Sequence, residues 1–405
     1  MKIFISGISG TGMGPLALMA LAAGCEVCGS DLEKGAVYDE LVSAGIEVAI
    51  GKQDGRFLQS KIAEGVDWFV YTSALPENHP ELKMAREAGI KCTKRDDLTN
   101  YLVEKLGLKM VAVAGTHGKT TTTAMIVWTS LQLGLPVAYI VGTTLGFAPS
   151  GAYHDGDKYF VYEADEYDRN FLKFHPWLAV IPYVSYDHPD IYPTKEEYLE
   201  AFEQFKGQSE QVIMTDGDGR KIKLAGAARR KDAELALKAI QLMVPDVDEA
   251  KVIEVLNKFP GVGRRFEKIA EGVYTDYAHH PEEIAATVEI AREEAKMTGR
   301  DGVVVVYQPH QNTRQHEVRE GYKDVFVGVE KVYWLPTYLT RENPELAVLT
   351  PEELIKGLSN SEAVEAAETD EKLANKLRQY VKEGKLVILM TAGPADGWFR
   401  QALIG

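Results

Sequence analysis

Two short apolar runs, Lys2–Ser6 and Lys109–Ala114, lead straight into glycine-rich turns, and each turn opens a helix-length stretch. Strands that end in glycines at a helix start belong to parallel sheets whose crossovers are helices, so the chain is constrained to an α/β architecture. Other strand-length runs, at Asp67–Tyr71, Tyr159–Tyr162, Leu178–Ile181, Gln211–Met214, Gly302–Tyr307 and Leu386–Met390, alternate with amphipathic stretches. The glycine turns and a Pro/Gly break at Phe259–Gly263 divide the chain into three expected domains, 1–107, 108–260 and 261–405. The first and third read as Rossmann-like units and the central one as a phosphate-loop unit.

A formal charge of -15 opposes binding to nucleic acid or an anionic membrane, both of which are polyanions. The N-terminus lacks the layout of a signal peptide, and no apolar run is long enough to span a bilayer, so a cytoplasmic location is expected. Cys25, Cys28 and Cys92 are an odd number and close no disulfide framework. Cys25 and Cys28 read C-x-x-C, but they sit in the second strand of a nucleotide-type unit rather than before a helix. Buried small hydrophobes are expected there.

Gly115-Thr116-His117-Gly118-Lys119-Thr120 follows an apolar strand and precedes a helix expected over Thr121–Leu133. Such a turn can aim backbone amides at phosphates, with Lys119 reaching the terminal ones and the Thr120 hydroxyl available to Mg²⁺. Glu163-Ala164-Asp165-Glu166 ends the expected strand Lys158–Tyr162, and Asp187-His188 follows the expected strand Leu178–Tyr183. Neighbouring strand ends converge on one rim of a parallel sheet, so Glu163 and His188 are expected to meet Thr120 around a phosphate-bound Mg²⁺.

The first turn, Gly7-Ile8-Ser9-Gly10-Thr11-Gly12-Met13, can hold a diphosphate at a helix N-terminus, with Asp31 placed for a ribose. By spacing alone a dinucleotide is possible, and with it an NAD-dependent dehydrogenase, although G-x-x-G-x-G is shifted from G-x-G-x-x-G. In the last third, Asp276-Tyr277-Ala278-His279-His280 and Gln308-Pro309-His310-Gln311-Asn312-Thr313-Arg314 each end an expected strand. Two polar clusters on one sheet edge suggest an amino acid site, with Arg314 pairing the carboxylate.

Gly-Thr-His-Gly-Lys-Thr-Thr at 115–121, Glu-Ala-Asp-Glu at 163–166 and Asp187-His188 resemble the motifs of the Mur ligases, as do the N-terminal turn and both C-terminal clusters. The resemblance runs in order through nearly the whole chain. It implies an ATP-dependent ligase of peptidoglycan precursor synthesis that joins UDP-N-acetylmuramate to an amino acid, L-alanine first, as a monomer or weak homodimer. Gly115, Thr116, His117, Gly118, Lys119, Thr120 and Thr121 would bind ATP, with Arg264 facing the nucleotide, and Thr120, Glu163 and His188 would hold Mg²⁺. Gly10, Thr11, Gly12, Met13, Asp31, Ser73 and Arg95 would contact the UDP-sugar. Tyr277, His279, His310 and Arg314 would line the amino acid site. Lys119, His188 and His279 are the expected catalytic side chains.

Three departures stand out. Gln311 occupies a position where alanine-adding members carry arginine, the family's adenine-binding helix is replaced near 227–232, and the segment between Glu203 and Arg229 is short. Two readings inside the family therefore stay beside the alanine-adding one: the member that attaches a recycled tripeptide, and a degenerate UDP-sugar-binding module. In the ligase reading ATP converts the lactyl carboxylate to an acyl phosphate, which the amine then attacks, and domain closure is expected to keep water out.

Overall fold

Long runs of β-branched and aliphatic residues set the architecture. The computed structural model describes every residue except Ser73, Pro189, Asp190, Asp216, Asp218, Arg220, Arg341 and Gly405. The described residues form three sheets. The first contains β1 (Lys2–Ser6), β2 (Glu26–Asp31), β3 (Glu47–Ile50), β4 (Trp68–Tyr71) and β5 (Lys91–Lys94), in the order β3-β2-β1-β4-β5 with every pair parallel. The strand order reverses beside β1, which opens a crevice at its carboxyl end.

The second sheet contains β6 (Lys109–Val113), β7 (Val137–Ile140), β8 (Gly151–Ala152), β9 (Tyr159–Glu163), β10 (Leu178–Ile181) and β11 (Gln211–Met214), in the order β11-β10-β6-β9-β7-β8. Its central trio β10-β6-β9 is parallel, so three consecutive strand ends share one rim. The third sheet contains β12 (Glu267–Ala270), β13 (Val273–Asp276), β14 (Val303–Gln308), β15 (Lys331–Trp334), β16 (Val364–Ala366) and β17 (Leu386–Thr391), in the order β12-β13-β17-β14-β15-β16. Every residue of β14 and β17 is buried, as expected of central parallel strands covered by helices on both faces. Each such Val or Leu contributes about 1.5–3 kcal/mol on burial.

The α/β class expected from the sequence is what forms, while the packing divides it into two compact units. One comprises 1–222 and 231–259, and the other comprises 223–230 and 260–405. A single apolar core joins the first two sheets, running from Ile3, Ile5 and Leu16 through Leu98 and Leu108 to Met110, Phe160 and Phe205. The third sheet carries its own cores, one on each face, built around Trp334 and Phe399.

Element ends differ from expectation where the chemistry lies. The phosphate-loop helix runs Lys119–Gln132, so Lys119 and Thr120 lie in its first turn. Glu163 is the last residue of β9 rather than part of the loop beyond it. Cys25 is buried just ahead of β2 and Cys28 is half-buried within it; all three thiols are free, and burial pushes the Cys28 thiol up to about 11. No helix among the described residues is long and apolar enough to cross a membrane.

Candidate active site

The rim of the second sheet gathers the phosphate loop and the acidic motif. Gly118 adopts φ +82°, and a Cβ there would sit 2.7 Å from Asp232 Oδ1 and 2.9 Å from Pro182 Cβ. Only glycine fits this left-handed, crowded position. Thr116 is tied to the segment after β10: its N–H donates to the Tyr183 carbonyl (2.8 Å) and its hydroxyl to the Ser185 carbonyl (2.7 Å), with the Tyr198 hydroxyl also 2.7 Å away. The His117 ring stacks on Tyr183 at 6.0 Å. Thr116 and His117 therefore shape the loop, while Thr121 continues the helix.

Lys119 Nζ donates to the Gly115 carbonyl (2.6 Å) and to both carboxylate oxygens of Glu166 (2.9 and 2.7 Å). His188 Nε2 lies 3.6 Å from Glu166 Oε1 and 3.7 Å from Asp187 Oδ2. Burial alone would raise Glu166, but the His188 contact and Lys119 outweigh it and hold the carboxyl below its ordinary value. Glu166 in turn raises His188 above the ordinary histidine value, with Asp187 assisting. His188 has φ +58°, an uncommon conformation for a non-glycine residue and one that collects at functional sites.

Thr120 Oγ1 donates to Glu163 Oε1 at 2.9 Å, bringing two hard oxygen donors together. The arrangement differs from the expected Thr120, Glu163 and His188 trio, because His188 faces Glu166 instead. Among the described residues, no group of three or more His, Cys, Asp or Glu side chains is assembled to hold a cation. Glu166, by the resemblance a weaker metal-ligand candidate than Glu163, is the hub that links Lys119 to His188. Asp232, beside the phosphate loop, lies in the segment that replaces the adenine-binding motif and was missed altogether.

The N-terminal turn is built around Ser9. Its N–H and hydroxyl both donate to Asp31 Oδ2 (2.9 and 2.7 Å), and its oxygen accepts the Gly35 N–H at 3.0 Å. Asp31 also accepts the Leu32 N–H at 2.8 Å, so this carboxylate braces the turn from the end of β2. Beneath the turn, a buried Glu81 accepts from Ser6 (2.7 Å) and Ser30 (2.8 Å), a network that nothing in the local sequence announces. Met13 is buried at the helix entrance, with Gly10, Thr11 and Gly12 on the turn before it. Arg95 packs against Gly12, where a Cβ would meet Nη1 at 2.8 Å, and reaches Asp165 Oδ2 at 3.6 Å. Arg95 thus touches both the N-terminal turn and the acidic motif. Ser73 lies outside the described residues.

In the second unit, His279 from the end of β13 and His310 from the end of β14 meet edge to face at 5.8 Å, with Tyr277 5.5 Å from His279. Burial lowers both histidines, and Arg314, in the helix Asn312–Val318, lowers both further. The Arg264 guanidinium turns inward over the Tyr277 ring at 4.7 Å and donates to the Thr391 carbonyl and, at 3.3 Å, to that of Gly393. Burial lowers its pKa. The expectation that Arg264 faces a nucleotide therefore meets a side chain already engaged inside its own unit. Gln311, at φ +64°, stands just before the Asn312–Val318 helix, without a side-chain hydrogen bond to its first turn.

A set of phosphate-loop, acidic and imidazole groups on three adjoining strand ends defines a phosphoryl-activating enzyme, and comparison with known proteins gives the family. Residues 2–105 match the Mur ligase family catalytic domain, 113–235 the Mur ligase middle domain, and 264–393 the Mur ligase glutamate ligase domain. The UDP-N-acetylmuramate–L-alanine ligase of Rubrobacter xylanophilus is 30% identical over 86% of this chain and 87% of its own. The fold is similar to that of the UDP-N-acetylmuramate-alanine ligase of Thermotoga maritima, at TM-score 0.77 and 23% identity, covering 99% of this chain and 98% of that one. It is also similar to that of the murein peptide ligase of Psychrobacter arcticus, at TM-score 0.59 and 21% identity, covering 99% and 98%. The chain belongs to the Mur ligase family and is an ATP-dependent ligase.

Proposed function

We propose that this ligase joins L-alanine to the lactyl carboxylate of UDP-N-acetylmuramate, with residues 1–107 binding the UDP-sugar, 108–260 the ATP and 261–405 the amino acid. The observation that carries the reading is the Lys119–Glu166–His188 chain beside the Thr120–Glu163 pair, all on the ends of β6, β9 and β10. Lys119, once released from Glu166, is a mobile cation for the terminal phosphate, and amides of the Gly115–Gly118 turn hold the phosphates behind it. Thr120 and Glu163 would hold Mg²⁺, with His188 joining them only once it leaves Glu166, and a glycine at 142 leaves room beside Glu163, where a Cβ would come within 3.0 Å of Oε2. Mg²⁺ bound there supplies charge neutralisation for phosphoryl transfer.

Arg95 and the amides of Gly10, Thr11, Gly12 and Met13 suit a diphosphate, whereas Asp31 reaches a ribose only while also bracing Ser9. Tyr277, His279, His310 and Arg314 hold the amino acid, Arg314 pairing its carboxylate. Aminolysis of the acyl phosphate then yields the amide.

The test is phosphate release with UDP-N-acetylmuramate, ATP and a panel of amino acids, with the L-Ala-γ-D-Glu-diaminopimelate tripeptide alongside. Release that depends on L-alanine is expected. Release only with the tripeptide would move the chain to the murein peptide ligase activity, and UDP-sugar binding without any release would mark a binding module.

A further inference from the structure

The second unit holds a carboxylate that the ligation chemistry has not used. Glu283 lies in the first turn of the helix Pro281–Met297, with its Oε2 3.2 Å from His279 Nδ1. The same oxygen accepts the backbone N–H groups of His279 (3.1 Å) and His280 (3.2 Å). His279 Nδ1 also lies 3.1 Å from the Tyr277 carbonyl. Both neighbours of Nδ1 are acceptors, so this nitrogen carries the ring proton. Nε2 keeps its lone pair and meets no hydrogen-bond partner among the described residues. The Tyr307 hydroxyl donates to the His279 carbonyl at 3.3 Å, fixing the backbone beneath the ring.

We propose that Glu283 is a positioning residue for ligation, holding His279 in the Nδ1–H tautomer so that Nε2 takes the proton from the incoming ammonium. This rests on the ligase reading above. An ammonium has no lone pair, and passing one N–H proton to Nε2 frees one. That pair forms the C–N bond to the acyl carbon, the bond from the acyl carbon to the phosphate oxygen breaks, and phosphate leaves with its electrons, taking up the second N–H proton so that a neutral amide remains. A ring protonated at Nε2 has nothing with which to accept. Burial holds His279 below the ordinary histidine value against the pull of Glu283, and Arg314 and Arg265 act in the same direction as burial. The imidazole is therefore neutral when the amine arrives. The rings of Tyr277, 5.5 Å away, and His310, 5.8 Å away, also face it.

Glu283 also caps its helix, and glutamine separates the two roles, since its amide oxygen accepts the same backbone N–H groups without the charge. In Glu283→Gln, kcat for amino-acid-dependent phosphate release should fall about 100-fold, the loss expected for a misplaced general base. KM for ATP and for the UDP-sugar should not move. The acid limb of kcat/KM for the amino acid should shift to lower pH, because the carboxylate that raises His279 is gone. Imidazole ¹⁵N NMR, assigned with His279→Gln, should show Nδ1 protonated in the wild type and a mixed tautomer in Glu283→Gln. An Nε2–H tautomer in the wild type, or an unchanged kcat and pH profile in Glu283→Gln, overturns the proposal. A wild type with the Nδ1–H tautomer but no phosphate release overturns the ligase reading, and the catalytic half of this one with it.

Discussion

The rim of the second sheet and the rim of the third are built alike, from loops at the carboxyl ends of parallel strands, yet they set histidine in opposite ways. His188 stands against Glu166 and Asp187 and is raised. His279 and His310 are lowered by burial and by the arginines around them. Position on a sheet brings the groups together; the Glu166 carboxylate then raises His188, whereas burial overrides the Glu283 carboxylate and lowers His279. The first rim is a set of opposite charges, which the proposed function assigns to a phosphate, and the second holds two lowered imidazoles, which it assigns to an amine.

The contrast can be tested at its strongest point. Lys119→Ala removes the ammonium that donates to both Glu166 oxygens, and amino-acid-dependent ADP release should fall at least about 10³-fold while far-UV circular dichroism keeps its native shape. Full activity in that variant would erase the distinction between the rims. Gly118→Ala probes the loop geometry. The φ of +82° and the 2.7 Å approach to Asp232 should cost about 1–3 kcal/mol in urea unfolding, and ATP binding should weaken in parallel.

The smallest effect concerns pH. Glu166 is lowered, so its contribution to stability is present above about 4.5 and is lost as pH falls through its folded value. His188 is raised, so its contribution is complete below about 6.5 and is lost as pH rises through its folded value. The melting temperature of the wild type should exceed that of His188→Gln most between those two values, by about 1 kcal/mol or less in free energy. The lowered His279 and His310 act with the opposite sign, since the unfolded chain takes up their protons more readily as pH falls below 6.5.

Much of this was legible in the sequence because strand, glycines, Lys-Thr and helix stand side by side at 109–133, and local periodicity alone reports such a unit. The pairing of Thr120 with Glu163 was legible too, since Glu163 ends β9 and Thr120 opens the helix that follows the neighbouring strand β6. Glu166 as the hub was not, because its role depends on how three separate loops fold over one rim. Asp232 beside Gly118 and Glu81 beneath Ser6 and Ser30 are tertiary contacts between segments far apart in the chain. Ser9 is only one member of the glycine turn in the sequence; the folded turn reveals it as the clasp that holds Asp31 and Gly35.

The apolar core that runs without a break from Ile3 to Phe205 has a consequence for how such a chain can be cut or shuffled. Severing it after Gly107 would part the helix Gly14–Ala22 from the strands β7 and β8 it packs against, leaving two greasy halves that seek each other or aggregate. A swap of substrate-recognition parts among relatives would therefore have to exchange the first two sheets as one cassette, with the third sheet, which keeps its own interior, as the separable piece.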